Sequence, residues 1–260
     1  MKNLLKRKLR HGEYALGSWI SIPNPEVPEI LSLANFDWFL FDMEHGPLNV
    51  TVLENLIQTT SENVTPLVRV PANELVYVKQ ALDVGAQGVM VPMVNNETDA
   101  LKATSFSKYP PMGARGLGAR RASEYFAEHS EYLKEANEET MVVVQIETSD
   151  AVKNAEEIIN SKGVDAWFVG PNDLAASLGH VGDPNCEAVR EAMGKVLRIG
   201  IKADVAGGTL AFDTESARAF LKRGFRLLAI GSDDYFLLHG ANSAVASVAP
   251  ERRSKAKGHY

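Results

Sequence analysis

The sequence predicts a single-domain (β/α)8 TIM barrel, and three observations predict it. The chain has 260 residues, and barrels of about 250 residues commonly run as one domain. Eight short apolar, β-favouring runs alternate with helical patterns along it. One phrase also recurs. A helical pattern reaches a glycine (Gly85, Gly163 or Gly224), a buried strand follows, and a Gly or Pro turn closes it. A glycine there lets the chain leave a helix in a left-handed conformation. Alternation of this kind argues for a parallel sheet, and eight units argue for its closure.

The eight runs occupy residues 15–22, 38–43, 65–70, 88–94, 141–146, 166–169, 201–205 and 227–230. Most are continuously apolar rather than alternating, as expected of strands covered on both faces. Between the second and third runs, Thr51-x-x-Glu54 reads as a capping box ahead of Leu53, Leu56 and Ile57. Asn73 is the expected cap of the segment holding Leu75, Val78 and Leu82. Asp213 is the expected cap of the one holding Ala217, Phe220 and Leu221. The long connection 107–140 carries its own helical patch at 122–136 and reads as an insertion in the fourth unit. The barrel is expected to span 1–248, with 249–260 a basic, disordered tail.

Composition narrows the function. The net charge is -6, yet residues 1–10 carry +5 and residues 251–260 carry +3, which leaves -14 for the body. An acidic body repels phosphate backbones, so no nucleic-acid partner is expected. The basic ends read as a solvated first helix and a tail. No run approaches the roughly 18 apolar residues of a membrane span, and Leu4-Leu5 is followed at once by charges, so neither a membrane partner nor a signal peptide is expected. Cys186 is the single cysteine, read as structural. It excludes an internal disulfide and a multi-cysteine metal site, and the chain is expected to be cytoplasmic.

In a barrel of this kind the chemistry gathers at the carboxyl ends of the strands. The second run ends in Asp42-Met43-Glu44-His45-Gly46, and the third in Arg69-Val70-Pro71. The fifth ends in Gln145-Ile146-Glu147-Thr148, the sixth in Gly170-Pro171-Asn172-Asp173, and the eighth in Ser232-Asp233-Asp234. The first, fourth and seventh contribute Ser21, Pro92 with Met93, and Asp204. Ser232 and Asp233 read equally well as helix caps. Arg69 sits within an apolar strand and needs a carboxylate partner, from protein or ligand. His45 is the one histidine of six at a strand's carboxyl end.

Glu147 and Asp173 end adjacent strands, and Gln145 shares a strand face with Glu147. Two carboxylates and a neutral oxygen form a hard-oxygen set suited to Mg²⁺ or Mn²⁺ with positions left for water and substrate. The competing reading is two unrelated helix caps, or a carboxylate paired with Arg69. Zinc fits less well with a single rim histidine. No rim motif holds a lysine, which argues against Schiff-base chemistry.

These residues resemble the HpcH/HpaI aldolases. The resemblance runs in order through Phe36-Asp37-Trp38, Asp42-x-Glu44-His45-Gly46, Leu67-Val-Arg69-Val-Pro71 and Gly88-x-x-x-Pro92-Met93-Val94. It continues through Tyr109-Pro-Pro-x-Gly113-x-Arg115-Gly116, Val144-Gln145-Ile146-Glu147-Thr148 and Gly170-Pro171-Asn172-Asp173-Leu174. The family consists of divalent-metal (class II) aldolases that cleave 4-hydroxy-2-oxo acids, including 2-keto-3-deoxy sugar acids, to pyruvate and an aldehyde, and run the reverse condensation. The resemblance implies a divalent cation (Mg²⁺, Mn²⁺ or Co²⁺) on Glu147 and Asp173. It implies His45 as acid/base, Asp83 as the aspartate that raises its basicity, and Asp42 as a group that orients it. Arg69 would stabilise the enolate, and Gln145, Gly170, Asn172 and Asp173 would bind the 2-oxo acid. It also implies a homo-oligomer, a hexamer or trimer of dimers, with the last helix exchanged. The run Tyr235–Leu238 allows that exchange, and equally allows ordinary barrel packing. Two stretches depart from the family pattern. One is the longer seventh unit around Lys202 to Gly208, and the other is Phe126, where the family has Gly. Two other readings stay open at this point: a barrel lyase acting on acyl-CoA thioesters, and a metal-dependent 2-oxo-acid binding protein without turnover.

Overall fold

The computed structural model describes residues 2–252. In chain order it comprises α1 Leu4–Arg10, β1 Ala15–Ile20, α2 Glu26–Ser32, β2 Trp38–Asp42, α3 Val50–Thr59, β3 Thr65–Arg69, α4 Leu75–Asp83, β4 Gly88–Val91 and α5 Glu97–Ser107. There follow α6 His129–Glu139, β5 Met141–Gln145, α7 Ser149–Lys153, α8 Ala155–Asn160, β6 Ala166–Phe168, α9 Pro171–Ser177, α10 Glu187–Ala203, β7 Ala206–Ala211, α11 Thr214–Arg223, β8 Leu227–Ser232 and α12 Asp233–Val248. The eight strands are parallel neighbours in chain order, and β8 pairs with β1 to close the barrel. The expected (β/α)8 barrel is the observed fold.

Side chains alternate across each strand, and that alternation sorts the core. Trp38 and Leu40 of β2, Leu67 of β3, Val143 of β5 and Phe168 of β6 fill the barrel interior. The intervening residues, such as Phe39, Phe41, Val68 and Val144, pack outward against the helices. Because the interior series runs on, the next inward positions are Asp42 on β2, Arg69 on β3 and Gln145 on β5. Gly17 is required by this packing, since a Cβ there would lie 2.2 Å from the Trp38 indole.

The first helix differs from the solvated helix expected. Leu5 and Leu9 join the interior cluster and stopper the amino-terminal mouth. Lys6 is buried and pairs with Asp165 at 2.9 Å, Lys8 pairs with Asp37 at 2.6 Å, and Arg7 pairs with Glu139 at 2.7 Å. The basic charges of this end are therefore spent on the acidic body rather than offered to an anionic partner.

The seventh strand also lies elsewhere. Residues 201–203 are the last turn of α10, and Asp204 caps that helix in the left-handed region. Asp204 thus sits at the amino end of β7, exposed beside Arg226, and is not a rim residue. Helix α3 starts from Asn49, whose side chain accepts from the Val52 N–H, so the Thr51–Glu54 box is not used. Helix α4 has no side-chain cap, because the Asn73 amide donates to the Asp99 carbonyl. Asp213 caps α11 as expected, and Gly85, Gly163 and Gly224 all adopt positive φ. In the insertion, 120–128 form turns rather than helix, with Glu124, Tyr125 and Phe126 at positive φ, and α6 begins only at His129. Pro250–Arg252 form a 3-10 turn, and the rest of the expected tail, 253–260, lies outside the described residues.

Candidate active site

The carboxyl ends of the strands surround a cavity of about 310 Å³. Asp42, His45, Arg69, Gln145, Gly170, Asn172 and Asp173 line it, with Trp19, Phe168, Leu210 and Phe212 as apolar walls.

Arg69 is its cationic centre. Asp42 and Arg69 are register partners on β2 and β3. Asp42 Oδ1 accepts from Nε at 2.9 Å and Oδ2 from Nη2 at 2.7 Å. Glu44 lies 3.1 Å from Nη1. The protein partner required by a buried arginine is thus a two-point aspartate with a second carboxylate beside it. A guanidinium has five N–H donors, and the two hydrogen bonds to Asp42 leave three, with Glu44 beside Nη1. Burial acts to lower the Arg69 pKa, but the Asp42 hydrogen bonds and the charges of Asp42, Glu44 and Glu147 outweigh it and hold the group cationic.

Asp42 also shapes the loop behind β2. Its Oδ1 accepts from the backbone N–H groups of Glu44 at 3.0 Å and His45 at 3.2 Å. It therefore orients the His45 backbone rather than the imidazole. The His45 ring is exposed at the cavity edge, with Nε2 3.9 Å from Glu44 Oε2.

Glu147 is buried (2 % exposed) two residues past the end of β5. Its Oε1 accepts from the Met93 backbone N–H at 2.7 Å, and its Oε2 accepts from Gln145 Nε2 at 2.8 Å. Met93 stands at positive φ just past β4, which aims its N–H inward. Burial pushes the Glu147 pKa up to about 7, against the Met93 hydrogen bond and with help from the charges of Asp173 and Glu44. Burial also raises the Glu44 pKa, against the nearby Arg69 charge. Gly170 caps α9, and a Cβ there would lie 2.9 Å from Glu147 Oε2, so only glycine leaves that oxygen its space. The first-turn N–H groups of α9, from Asn172 and Asp173, have no intrahelical acceptors.

These donors suit a divalent cation. Glu147 and Asp173 are close enough to raise the Glu147 pKa, and that repulsion is what a cation relieves. Gln145 Oε1 is buried with no hydrogen-bond partner. Among the described residues, no three His, Cys, Asp or Glu side chains cluster as a self-sufficient metal cage. A two-carboxylate set matches a hard cation that keeps several waters, as Mg²⁺ does.

Asp83 is not part of this constellation within one chain. It ends α4, which returns the chain to the amino end of β4, and its Oδ1 accepts from Arg115 at 2.7 Å. Asp233, one of the two residues read as caps, also closes the β8–β1 seam. It accepts from the Ser21 and Ile22 N–H groups at 2.9 and 2.8 Å. Sequence reasoning missed the Met93 N–H, the Trp19 and Phe168 walls, and the Arg69–Glu44 contact. The walls were findable, since both are inward positions one step below the rim.

A family model described as HpcH/HpaI aldolase/citrate lyase matches residues 15–240. The chain belongs to this family. An HpcH/HpaI relative from Salmonella arizonae, named 4-hydroxy-2-oxo-heptane-1,7-dioate aldolase, is 39% identical over 100% of both chains. A family structure from Burkholderia cenocepacia is 38% identical, with a TM-score of 0.92 over 95% of this chain and 99% of that one. An HpcH/HpaI aldolase structure from Desulfitobacterium hafniense is 28% identical, with a TM-score of 0.88 over 98% and 99%. As an HpcH/HpaI member with full-length aldolase relatives, the chain is a class II, divalent-metal-dependent aldolase, a carbon–carbon lyase acting on small 2-oxo acids. No helix among the described residues is long and apolar enough to cross a membrane.

Proposed function

We propose that this aldolase reversibly cleaves a 4-hydroxy-2-oxo acid to pyruvate and an aldehyde. The observation that carries the reading is one cavity lined by Arg69, Asp173 and His45, with Glu147 buried directly behind its Gln145 and Gly170 lining. Glu147 and Asp173 would hold Mg²⁺, Mn²⁺ or Co²⁺, and the bound cation supplies Lewis-acid polarisation of the 2-oxo group. The first-turn N–H groups of Asn172 and Asp173, beside Gly170 and Gln145, bind the substrate carboxylate. His45 takes the 4-hydroxyl proton as that oxygen becomes the aldehyde carbonyl. The C3–C4 bond breaks, and its electron pair passes to the enolate of pyruvate. The Arg69 donors not bonded to Asp42 stabilise the enolate oxygen. Protonation at C3 completes pyruvate. Asp42 serves by holding Arg69 and the His45 loop in place.

Two features support a homo-oligomer, such as a hexamer. Helix α12 buries only Asp233 and leaves Leu237, Leu238, Val245 and Val248 exposed. The insertion that packs near Asp83 exposes Leu117, Tyr125 and Phe126. Asp83 enters the mechanism only across such a contact. The single free Cys186, with no disulfide partner in the sequence, supports a cytoplasmic setting. The test is pyruvate release from a 4-hydroxy-2-oxo acid by wild type and His45→Ala. The variant should lose turnover by at least 100-fold while still binding Mn²⁺. Unchanged turnover would overturn the role of His45. Turnover of a CoA thioester in preference to the free acid would overturn the substrate class.

A further inference from the structure

The cavity has two chemically different ends. The end toward β5 and β6 holds the groups assigned above to the 2-oxo acid. The other end is walled by Leu210 and Phe212 from β7 and just beyond it, by Ser21 after β1, and by Ser232 and Asp234 at the β8–α12 junction. Nothing in the assigned chemistry uses this second wall. The remainder of the substrate, the part released as aldehyde, must lie against it, because the cavity is continuous and the other end is filled.

This wall is built against an anion. The second wall has no arginine or lysine, and Arg69 is the single one among the residues that line the whole cavity. Two of the Arg69 donors are bonded to Asp42, and its charge is further met by Glu44 at 3.1 Å. The other feature that could welcome an anion is the amino end of α12, whose first-turn N–H groups point outward. Its own carboxylates occupy them. Asp233 Oδ1 accepts from the Asp234 N–H at 2.9 Å, and Asp234 Oδ1 accepts from the Tyr235 N–H at 2.7 Å. The Ser232 hydroxyl also donates to Asp234. Asp234 remains exposed, so its charge faces the cavity mouth. Hydroxyls and carboxylate oxygens accept from or donate to a hydroxylated chain, while a second carboxylate there meets like charge.

Resting on the aldolase reading above, we propose that the aldehyde end of this site selects neutral, hydroxylated aldehydes and rejects aldehydes bearing a second carboxylate, with Asp234 as the discriminating residue. That specificity differs from the dioate named for the Salmonella arizonae relative.

The test uses the metal-loaded enzyme with pyruvate and two aldehydes of matched length, 4-hydroxybutanal and succinic semialdehyde. Aldol formation is followed as kcat/KM for each. Exchange of the pyruvate methyl protons with D2O is followed in parallel, because it reports enolate formation without any aldehyde. The wild type should exchange these protons and prefer 4-hydroxybutanal by at least roughly tenfold, the scale of one like-charge contact at a partly solvated wall. Asp234→Asn should narrow that preference at least threefold, chiefly through the carboxylated aldehyde. Exchange with equal or better use of succinic semialdehyde overturns the selectivity while leaving the aldolase reading intact. An unchanged preference in Asp234→Asn overturns the role of that residue. Neither exchange nor turnover with any aldehyde overturns both the reading and the inference built on it.

Discussion

Glu147 gives the sharpest stability prediction. Its carboxyl is buried (2 % exposed) and moves from an ordinary 4.5 to about 7 in the metal-free protein. Burial is the main cause, so the folded state holds this proton more tightly than the unfolded chain does. A raised folded pKa contributes stability that is complete below about pH 4.5 and is lost as pH rises through about 7. At 1.36 kcal/mol per pH step, the loss amounts to about 3 kcal/mol. The metal-stripped protein should therefore be less stable at pH 8 than at pH 5, measured by urea unfolding at each pH. Glu147→Gln removes the ionising group and should flatten most of that slope. Glu44, also raised by burial, leaves a residue of the same sign. Adding Mg²⁺ or Mn²⁺ at pH 8 should stabilise the wild type and do little for Glu147→Gln. Equal pH slopes in the two proteins would refute this account of the Glu147 environment.

Three further outcomes follow from the packing. Asp42→Asn leaves Arg69 short of its buried counter-charge, so stability should fall by about 3 kcal/mol, the lower end for breaking a buried pair, and kcat should drop roughly tenfold or more; urea unfolding and pyruvate release measure the two. Gly17→Ala drives a Cβ to 2.2 Å from the Trp38 indole and should cost about 1–3 kcal/mol on denaturation. Gly170→Ala sets a Cβ 2.9 Å from Glu147 Oε2 and should weaken Mn²⁺ affinity by roughly tenfold in a direct titration while the unfolding midpoint changes little.

Much of the barrel is legible in the sequence, because strands covered on both faces leave continuous apolar runs. The seventh strand is the instructive failure. Its first residues, Ala206-Gly207-Gly208, carry little apolar signal, and the last turn of α10 mimics a strand. Those glycines are imposed by the neighbouring strand. A Cβ at Gly207 would lie 2.1 Å from Trp167, and one at Gly208 would lie 2.5 Å from Phe168. A requirement set by a residue some forty positions away leaves no local pattern. The caps at Thr51 and Asn73 failed for a related reason, since Asn49 competes for the first and a carbonyl from α5 draws away the second. At the site, Asp42, Arg69, Gln145 and Glu147 were legible as polar endings of apolar strands. The Met93 N–H was not, because its contribution is a backbone direction rather than a side-chain chemistry. Asp83 came from resemblance alone, and its pairing with Arg115 lies outside anything periodicity reports.

The central claim is that Glu147 and Asp173 hold the cation on which carbon–carbon cleavage depends. Pyruvate release from a 4-hydroxy-2-oxo acid, before and after chelation and on return of Mg²⁺, Mn²⁺ or Co²⁺, tests it most directly. The wild type should fall silent on chelation and recover with added cation, while a Glu147→Gln, Asp173→Asn double variant should stay silent under both conditions. Turnover that survives complete removal of metal, or that the double variant retains, would contradict the account.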